Sequence, residues 1–375
     1  MKLKYITKHK RNRSNKMPIV IYGLALLLVG ASCSKMNDLH QPYLDEGEIV
    51  YAEKVESVEV GSGNKRIQLG LKINSETIST SRIFWNNYTD STDVAIGNQK
   101  GLFNTIIEDL NEQQYIFQII NIDRYSNTSL PYEVEGIVYG DNFQNTLSNR
   151  NITKASLNNE NELTLNWSDN NENVAFSKLT YTNTSDTEIS VEVAASEMIS
   201  SLSDFKENLK YSTAFLPDST AIDTFYTEEI TLSKIVLDNS SWSVEDFSSE
   251  HPGGENSVVN FIDGNQGTRW HSCAGCSSYP HWVVINLGAS VSFSAVEIFR
   301  TTFEGGDSRA PDKFQLEVSA DNENWISLGI FDFNRFIDSG QIFESNYTEE
   351  VQFLRFTALE GPENNMVIGA IQLLK

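Results

Sequence analysis

Two histidines and two cysteines lie close together in the last third of the chain, at His271, Cys273, Cys276 and His281. These side-chain types bind zinc in four-coordinate sites. The Cys-x-x-Cys pair could instead form a disulfide in an exported protein, or act in redox chemistry. Redox motifs of the thioredoxin type start a helix within a βαβ unit, and this stretch does not have that pattern. Zinc and a disulfide between Cys273 and Cys276 therefore remain as alternatives.

A short turn sequence just before them is rich in oxygen ligands. Asp263, Asn265 and Thr268 surround a glycine that permits a tight turn. Carboxylate, hydroxyl and main-chain oxygens are the ligands that calcium prefers, so we predict a structural calcium site here. Without an ion, Asp263 would cap the turn through local hydrogen bonds.

Three other loop sequences together offer ring faces and polar groups, which is the combination that a sugar needs. They are Glu250–Pro252, Phe303–Arg309 and Glu363–Asn365. The candidate ligand-binding residues are Glu250, His251, Phe303, Asp307, Arg309, Asn364 and Asn365. The alternative for each of these residues alone is a solvent-exposed loop position without a role in ligand binding.

Motifs of the common enzyme classes do not appear in the sequence. It has no nucleophile elbow, phosphate loop or dinucleotide fingerprint. Its 51 Asp and Glu residues include many possible carboxylate pairs, so a glycosidase with two catalytic carboxylates is the alternative to a binding protein. The region before the last third has the pattern of plain sandwich modules, which are scaffolds more often than catalysts. We therefore predict a binding protein and no enzyme.

The elements that position these loops are β-strands. Short runs of Val, Ile, Thr, Tyr and Phe alternate with polar residues and are separated by turn residues, whereas no long segment has helical periodicity.

A shift of 96 residues relates two such regions, because Ile67, Leu69 and Leu71 correspond to Leu163, Leu165 and Trp167. Leu110-x4-Tyr115 resembles the E–F corner of fibronectin type III domains. We predict two tandem fibronectin type III-like sandwiches, over residues 49–142 and 143–233.

The beginning of the chain has the features of a secretory signal. Residues 1–32 contain seven Lys and Arg, then a short apolar run, then Gly30-Ala31-Ser32 before Cys33. This resembles a bacterial lipobox and implies a lipid on Cys33, although Gly30 stands where that motif prefers Leu. An ordinary signal peptide followed by a chance cysteine is the alternative. Residues 33–48 are then a polar tether.

The charge balance restricts the partners. The whole chain has a net charge of −23, and removal of residues 1–32 leaves 21 basic against 51 acidic residues, a net charge of −30. Such a chain is unsuited to nucleic acid and to anionic membrane surfaces. We expect contact with a membrane only through the lipid anchor.

The first two thirds resemble a known group of N-terminal domains. The residues that carry the resemblance are Tyr43–Glu48, Trp85–Asn87 and Tyr139–Asn142, and it extends over about 40–235. These domains occur in surface lipoproteins of Bacteroidetes that are encoded with glycan-uptake systems. The resemblance implies an outer-membrane, surface-exposed location, with a transporter or hydrolases as neighbouring partners.

Residues 234–375 resemble the coagulation factor 5/8 type C family, also called discoidin domains. The motifs occur in order, at Asp263–Asn265, Thr268–His271, Pro280–Gly288, Phe314–Asp321 and Phe353–Phe356. The resemblance implies a jelly-roll β-sandwich whose loops bind a ligand, and several bacterial carbohydrate-binding modules belong to this family. Trp270, Trp282 and Trp325 lie in or beside predicted strands, where we expect core positions.

The resemblance also bears on the two metal hypotheses. His271 and His281 match family positions that exist without cysteines, so the cysteine pair is an addition, and a disulfide is favoured over zinc. The family joins a Glu near the C-terminus to the calcium loop, but Ala370 stands there in this chain. The predicted calcium site therefore has one carboxylate fewer.

Together, these observations predict an all-β protein with two tandem sandwiches followed by a discoidin-like jelly roll. We expect a lipid-anchored glycan-binding protein of the cell envelope that takes part in polysaccharide capture and uptake. An adhesion or assembly subunit that binds a protein partner through the discoidin-like domain is the alternative function.

Overall fold

The structure, a computed structural model, describes Gly47, residues 49–168 and residues 172–375. The predicted signal peptide, the lipidation site Cys33 and all of the predicted tether except Gly47 lie outside the described residues. Nearly all regular structure in the described part is β-strand, which confirms the all-β fold class. The helices there are one short α-helix and three 3-10 turns, at Asp141–Thr146, Gly254–Asn256, Val258–Phe261 and Phe303–Gly305. None of these helices is long and apolar enough to cross a membrane.

The chain forms two compact units. One contains the described residues up to Val58 together with Gly70–Asn104 and Ile116–Val134. The other contains Glu59–Leu69, Thr105–Tyr115 and Glu135–Lys375, and therefore holds every candidate site residue that the structure describes.

The first copy of the sequence repeat has seven strands. They are β1 (Ser57–Ser62), β2 (Ile67–Ile73), β3 (Ile78–Trp85), β4 (Asp90–Ala95), β5 (Gly101–Ile107), β6 (Gln113–Asp123) and β7 (Tyr132–Val138). They form two sheets, with strand orders β1-β2-β5 and β4-β3-β6-β7. Ile67, Leu69 and Leu71 are fully buried, because alternate residues of a strand face the same side. The backbone N–H of Asn111 donates to the Tyr115 hydroxyl at 3.1 Å, so this tyrosine holds its corner.

The second copy repeats this arrangement. Its strands are β8 (Ile152–Leu157), β9 (Leu163–Trp167), β10 (Val174–Asn183), β11 (Glu188–Ala194), β12 (Ile199–Leu202), β13 (Phe205–Phe215), β14 (Phe225–Tyr226) and β15 (Ile230–Thr231). The strand order β12-β9-β8 matches β5-β2-β1, and β11-β10-β13-β14 matches β4-β3-β6-β7. The 96-residue repeat in sequence is therefore a repeat of strand order as well.

The C-terminal region contains eleven strands, of which five form one face of a sandwich. The strands are β16 (Val236–Leu237), β17 (Ser243–Phe247), β18 (Trp270–His271), β19 (His281–Val291), β20 (Ala295–Ile298), β21 (Lys313–Ser319), β22 (Ile326–Asp332), β23 (Gln341–Glu344), β24 (Val351–Glu360), β25 (Val367–Ile368) and β26 (Ile371–Leu374). The five-stranded sheet has the order β17-β19-β24-β21-β22, and β18 pairs with β25.

Aromatic rings fill the core of this region. Phe261 contacts Trp270 and Phe356, with ring centroids 5.8 and 5.1 Å apart, and all three side chains are fully buried. Trp270 therefore occupies the core position expected for it. Trp282 and Trp325 are only half-buried, and Trp325 lies under the guanidinium of Arg355 at 4.3 Å. Of these three tryptophans, only Trp270 has the fully buried core position expected for it; Trp325 directly precedes β22 and packs against a surface charge.

The second repeat and the C-terminal region share one sheet. Strand β16 pairs in parallel with β8, where Val236 lies opposite Ser156, and antiparallel with β26, where Val236 lies opposite Leu374. The result is a seven-stranded sheet of order β12-β9-β8-β16-β26-β20-β23. The buried apolar residues of both regions belong to one continuous core. The loops of the C-terminal region are therefore fixed to the second repeat through a continuous sheet.

Candidate ligand-binding site

Four loops of the C-terminal region meet around His271. The pairing of β18 with β25 places His271 opposite Val367, directly after the loop that contains Asn365. The backbone N–H of His251 donates to the His271 carbonyl at 2.7 Å, and the N–H of Val367 donates to the Arg309 carbonyl at 3.1 Å. Main-chain bonds thus fix the positions of these loops before any side chain is considered.

The side chains of Arg309 and Asn365 both point at the His271 ring. The Asn365 amide nitrogen lies 3.1 Å from His271 Nε2, and Arg309 Nη1 lies 3.5 Å from the same atom. The His251 ring packs against the His271 ring, with centroids 4.9 Å apart. His271 and Asn365 are at most 9% exposed, whereas the Arg309 side chain is 30% exposed. Arg309 therefore offers the accessible part of a largely buried cluster.

The chemistry of its neighbours fixes the protonation of His271. A guanidinium has N–H donors and no acceptor, so these contacts favour the tautomer in which His271 Nε2 accepts and the ring proton lies on Nδ1. Burial, together with repulsion from Arg309, His251 and Arg269, lowers the pKa of His271 to about 4. His271 is therefore neutral at physiological pH, and it orients the two donors that contact it.

Arg309 forms an ion pair with Asp307. Its Nε donates to Asp307 Oδ1 at 3.0 Å, and its Nη2 donates to Oδ2 of the same carboxylate. Burial alone would raise the pKa of Asp307, but the hydrogen bonds from Arg309 outweigh it and hold that pKa below its usual value. The same bonds raise the pKa of Arg309. The pair remains ionised at any physiological pH and presents a fixed donor and a fixed acceptor side by side.

Phe303 supplies a ring in the loop that carries Asp307 and Arg309. The guanidinium of Arg269 lies 4.3 Å from the centre of the Phe303 ring, and Arg269 Nε donates to Asn256 at 2.9 Å. The ring is partly exposed. Because Arg269 covers one of its faces, any contact with a sugar would use the other face or the edge.

Two of the predicted ligand-binding side chains have other roles. The Glu250 carboxylate accepts from the backbone N–H of Val258 at 2.9 Å and so caps a 3-10 turn of its own loop. Asn364 uses its main-chain carbonyl to accept from His281 Nε2 at 2.8 Å, while its side chain is exposed. The structure therefore gathers His251, Asp307, Arg309 and Asn365, places Phe303 beside Arg269, and directs Glu250 into its own loop.

Two residues of the site are absent from the ligand-binding residues predicted from sequence. His271 is the centre of the cluster, although its type and spacing suggested zinc, and Arg269 supports Phe303. The Thr268–His271 motif contains both residues and could have drawn attention to them. Their roles depend on contacts with loops far away in the chain, which residue type alone does not show.

The two cysteines are bonded to each other. Cys273 and Cys276 form a disulfide with Cα atoms 5.5 Å apart, and the backbone N–H of Ala274 inside this loop lies 3.4 Å from His251 Nδ1. Sulfurs in a disulfide are not thiolates and do not bind zinc. No group of three or more His, Cys, Asp or Glu side chains that could hold a metal exists in the described part of the chain.

The loop predicted to bind calcium is a hydrogen-bonded turn. Asp263 accepts from the Asn265 backbone N–H and from the Thr268 hydroxyl, each at 2.7 Å, and the Thr268 hydroxyl lies 2.7 Å from the Asn265 carbonyl. The three predicted ligands are thus together, and their oxygen types fit a hard cation. Only one of them is a carboxylate, and Ala370 is buried. Calcium binding in this loop stays a prediction.

The depressed pKa of His271 predicts a loss of stability in acid. The folded-state pKa of about 4 lies below the unfolded value of about 6.5, so the unfolded chain binds more protons in between. The stability contributed by neutral His271 is complete above pH 6.5 and is lost as the pH falls toward 4. We expect the melting temperature of His271→Gln, which keeps an acceptor, to fall less over this range than that of the wild type. Parallel melting curves for the two proteins would contradict this.

Comparison with known families agrees with this architecture. The fold and the loop cluster define a chain of β-sandwich repeats joined to a discoidin-like module, and a family model for the F5/8 type C domain matches residues 239–370. A second model, DUF4998, described as a domain of unknown function, matches residues 33–225, which is just over half of the chain. The chain therefore belongs to the DUF4998 family and has an F5/8 type C domain at its C-terminus. The fibronectin type III likeness of the repeats stays a prediction.

Solved structures similar to this chain cover its C-terminal part. The C-terminal domain of a chitobiase from Bacteroides fragilis is 24% identical, covers 37% of this chain and 95% of its own, and gives a TM-score of 0.33. A CBM32 module of Clostridium perfringens in complex with GalNAc-β-1,3-galactose is 21% identical over 37% of this chain and 99% of its own, with a TM-score of 0.34. No curated protein matches the chain.

Proposed function

We propose that this chain is a glycan-binding protein whose F5/8 type C domain binds sugar at the cluster around His271. The observation that carries the proposal is the Arg309–Asp307 pair, oriented by neutral His271 and partly exposed, in the same loop as the Phe303 ring. A fixed donor and acceptor together with a ring match the hydroxyls and the C–H face of a sugar. Membership of the F5/8 type C family, which includes carbohydrate-binding modules, supports it. The proposed role is binding without catalysis.

A glycan array tests this proposal. The mature chain, residues 33–375 with Cys33 replaced by serine to leave it unlipidated, would be applied to plant, host and microbial polysaccharides. We expect saturable binding to one class of glycan, competed by its free oligosaccharide. Absence of binding across the panel would contradict the proposal. Capture of a membrane protein that free sugar cannot displace would favour the alternative function, a docking subunit.

We infer from the sequence that the mature chain is anchored at the outer membrane by a lipid on Cys33. The small residues before Cys33 and the absence of acidic residues from the first 32 positions support this inference. An anchored binding protein would raise the concentration of polysaccharide near a transporter or hydrolases.

Protease treatment of intact cells should remove the protein, and a Cys33→Ala variant should be released from the membrane fraction. Retention of that variant in the membrane would contradict the lipid anchor.

We also propose that the Asp263 loop binds calcium weakly. A site with one carboxylate belongs at the weak end of extracellular calcium sites, with a Kd on the order of 1 mM. At about 10 mM calcium, binding would stabilise the folded chain by about 1.4 kcal/mol and raise the melting temperature by a few degrees. Asp263→Asn should abolish the rise, and magnesium should not reproduce it. An equal rise in Asp263→Asn would show that calcium acts elsewhere.

A further inference from the structure

Phe336 is exposed to an extent that is unusual for an aromatic side chain. It is 67% exposed, and no other aromatic side chain between residues 234 and 375, a range described in full, is as exposed. Burial of such a ring against a ligand would contribute on the order of 2 kcal/mol.

The loop that carries Phe336 is held firmly. The Arg335 guanidinium lies 4.4 Å from the centre of the Phe336 ring, and Arg335 Nε donates to Asp312 at 2.9 Å. Asn334 accepts from the Phe336 backbone N–H at 3.1 Å, and Gln341 bonds both to the N–H and to the carbonyl of Asn334 at 2.9 Å. The ring is therefore positioned before any ligand arrives, which reduces the entropy lost on binding.

A depression of about 310 Å³ lies beside this ring. Its lining combines the exposed Phe336 with the polar residues Asp332, Asn334, Arg335 and Gln341, and it includes the buried Phe333. This volume is at the small end of the range for small-molecule sites and suits one sugar unit. An exposed ring face and several acceptors and donors around one depression are what a pyranose with its hydroxyls requires.

The depression adjoins the cluster around His271. Arg335 Nη1 donates to the main-chain carbonyl of Ser308 at 3.0 Å, and Ser308 lies between Asp307 and Arg309 in the chain. Arg335 therefore contacts both the Phe336 ring and the loop that carries the Arg309–Asp307 pair. A glycan chain bound at Arg309 could reach Phe336 with a neighbouring sugar unit.

We propose that Phe336 and the depression beside it form a second sugar subsite, so that the domain binds an oligosaccharide rather than a single terminal sugar. This inference rests on the proposed function and deepens it. Arg309 would contribute to the binding of any ligand, whereas Phe336 would contribute only to ligands long enough to reach it.

Binding as a function of ligand length tests this subsite in the mature chain. The probes are galactose with β-1,4-galactotetraose, and N-acetylglucosamine with its β-1,4-linked tetrasaccharide, measured by calorimetry. We expect Phe336→Ala to weaken binding of the recognised tetrasaccharide about tenfold, the effect of roughly 1.4 kcal/mol, and to leave the monosaccharide unchanged. Phe336→Tyr, which keeps the ring, should bind like the wild type.

Tyr125 provides a matched control, because it is 69% exposed and stacks on its neighbour Arg124 at 5.4 Å in the first repeat. Tyr125→Ala should leave binding of both probes unchanged. Tetrasaccharide binding by Phe336→Ala that equals the wild type would overturn the subsite and leave the proposed function intact. Absence of binding to every glycan on the array would overturn the proposed function and the subsite together. Loss in Phe336→Ala of a protein partner, with sugar binding unchanged, would overturn the subsite in favour of docking.

Discussion

Replacement of Arg309 by alanine should weaken glycan binding about a hundredfold or more. The substitution removes the guanidinium that donates to Asp307 and His271, and it leaves the Asp307 carboxylate, with its side chain 14% exposed, without its cation. Partly buried arginines at the centre of an interface typically contribute 2–4 kcal/mol when truncated, and each 1.4 kcal/mol is a factor of ten in Kd. Calorimetry with the glycan identified on the array would measure the loss.

A matched control separates the loss of the site from a general loss of charge. Arg82 forms a similar two-bond pair with Asp93 in the first repeat, at 2.6 and 2.7 Å, and both side chains are more than 40% exposed. Arg82→Ala removes the same side chain and the same charge, and it should bind glycan like the wild type. Equal weakening in both variants would show that the net charge, and not the cluster around His271, controls binding.

Folding of the Arg309 variant needs its own measurement. The main-chain carbonyl of Arg309 accepts from Val367, and that bond survives the substitution. Because the Asp307 carboxylate loses its cation, the melting temperature of Arg309→Ala should nevertheless fall by several degrees, so binding is compared at a temperature where both proteins are folded. Arg309→Lys keeps the charge but not the two-pronged geometry, so we expect its affinity to lie between those of the wild type and the alanine variant.

The sequence was informative wherever the structure depends on local pattern. Alternation of apolar residues in Ile67–Leu71, and its repetition at Leu163–Trp167, is enough to identify strands and their repeat, because burial on one face has a period of two residues. The F5/8 type C domain could also be recognised, because its motifs occur in order along 234–375. These features depend on residue types at fixed short spacings.

The site could be predicted only in part, because side-chain partners come from distant loops. Arg309 and Asn365 were predicted to bind ligand, but their common acceptor, His271, is 38 and 94 residues away from them. Glu250 looked like a binding carboxylate, yet it lies eight residues before the turn that it caps. Phe336 drew no attention, because a phenylalanine in a strand-rich sequence is expected to be buried.

The shared sheet is the feature that the sequence could least reveal. Strand β16 has only two residues, Val236 and Leu237, and its neighbours are Ser156 and Leu374, about 80 and 140 residues away. The family resemblance, which begins at residue 234, predicts a domain boundary there. In the structure, the same place is a strand in the middle of a sheet. Pairing between such distant segments depends on the folded topology and leaves no local signal.

Separation of the chain at this boundary should therefore destabilise the C-terminal domain. In a fragment of residues 234–375, β16 would lose its pairing with β8 and the bond from the Asp238 N–H to the Leu157 carbonyl, 2.7 Å long in the structure. Loss of these bonds and exposure of the apolar residues at the junction should cost on the order of 3 kcal/mol, which lowers the melting temperature of a domain of this size by about 10 °C. Calorimetry of the fragment and of the mature chain measures the difference.

The outcome also decides how the binding loops are presented. If the fragment melts as the prediction requires, the second repeat and the F5/8 type C domain unfold as one cooperative body, because they share a sheet and a core. The loops around His271 and Phe336 would then keep a fixed direction relative to the second repeat. A fragment that melts at the temperature of the corresponding transition in the mature chain would contradict this, since the shared sheet would then contribute nothing to stability. A module fixed in this way loses less orientational freedom when it binds an extended polysaccharide than one on a flexible linker.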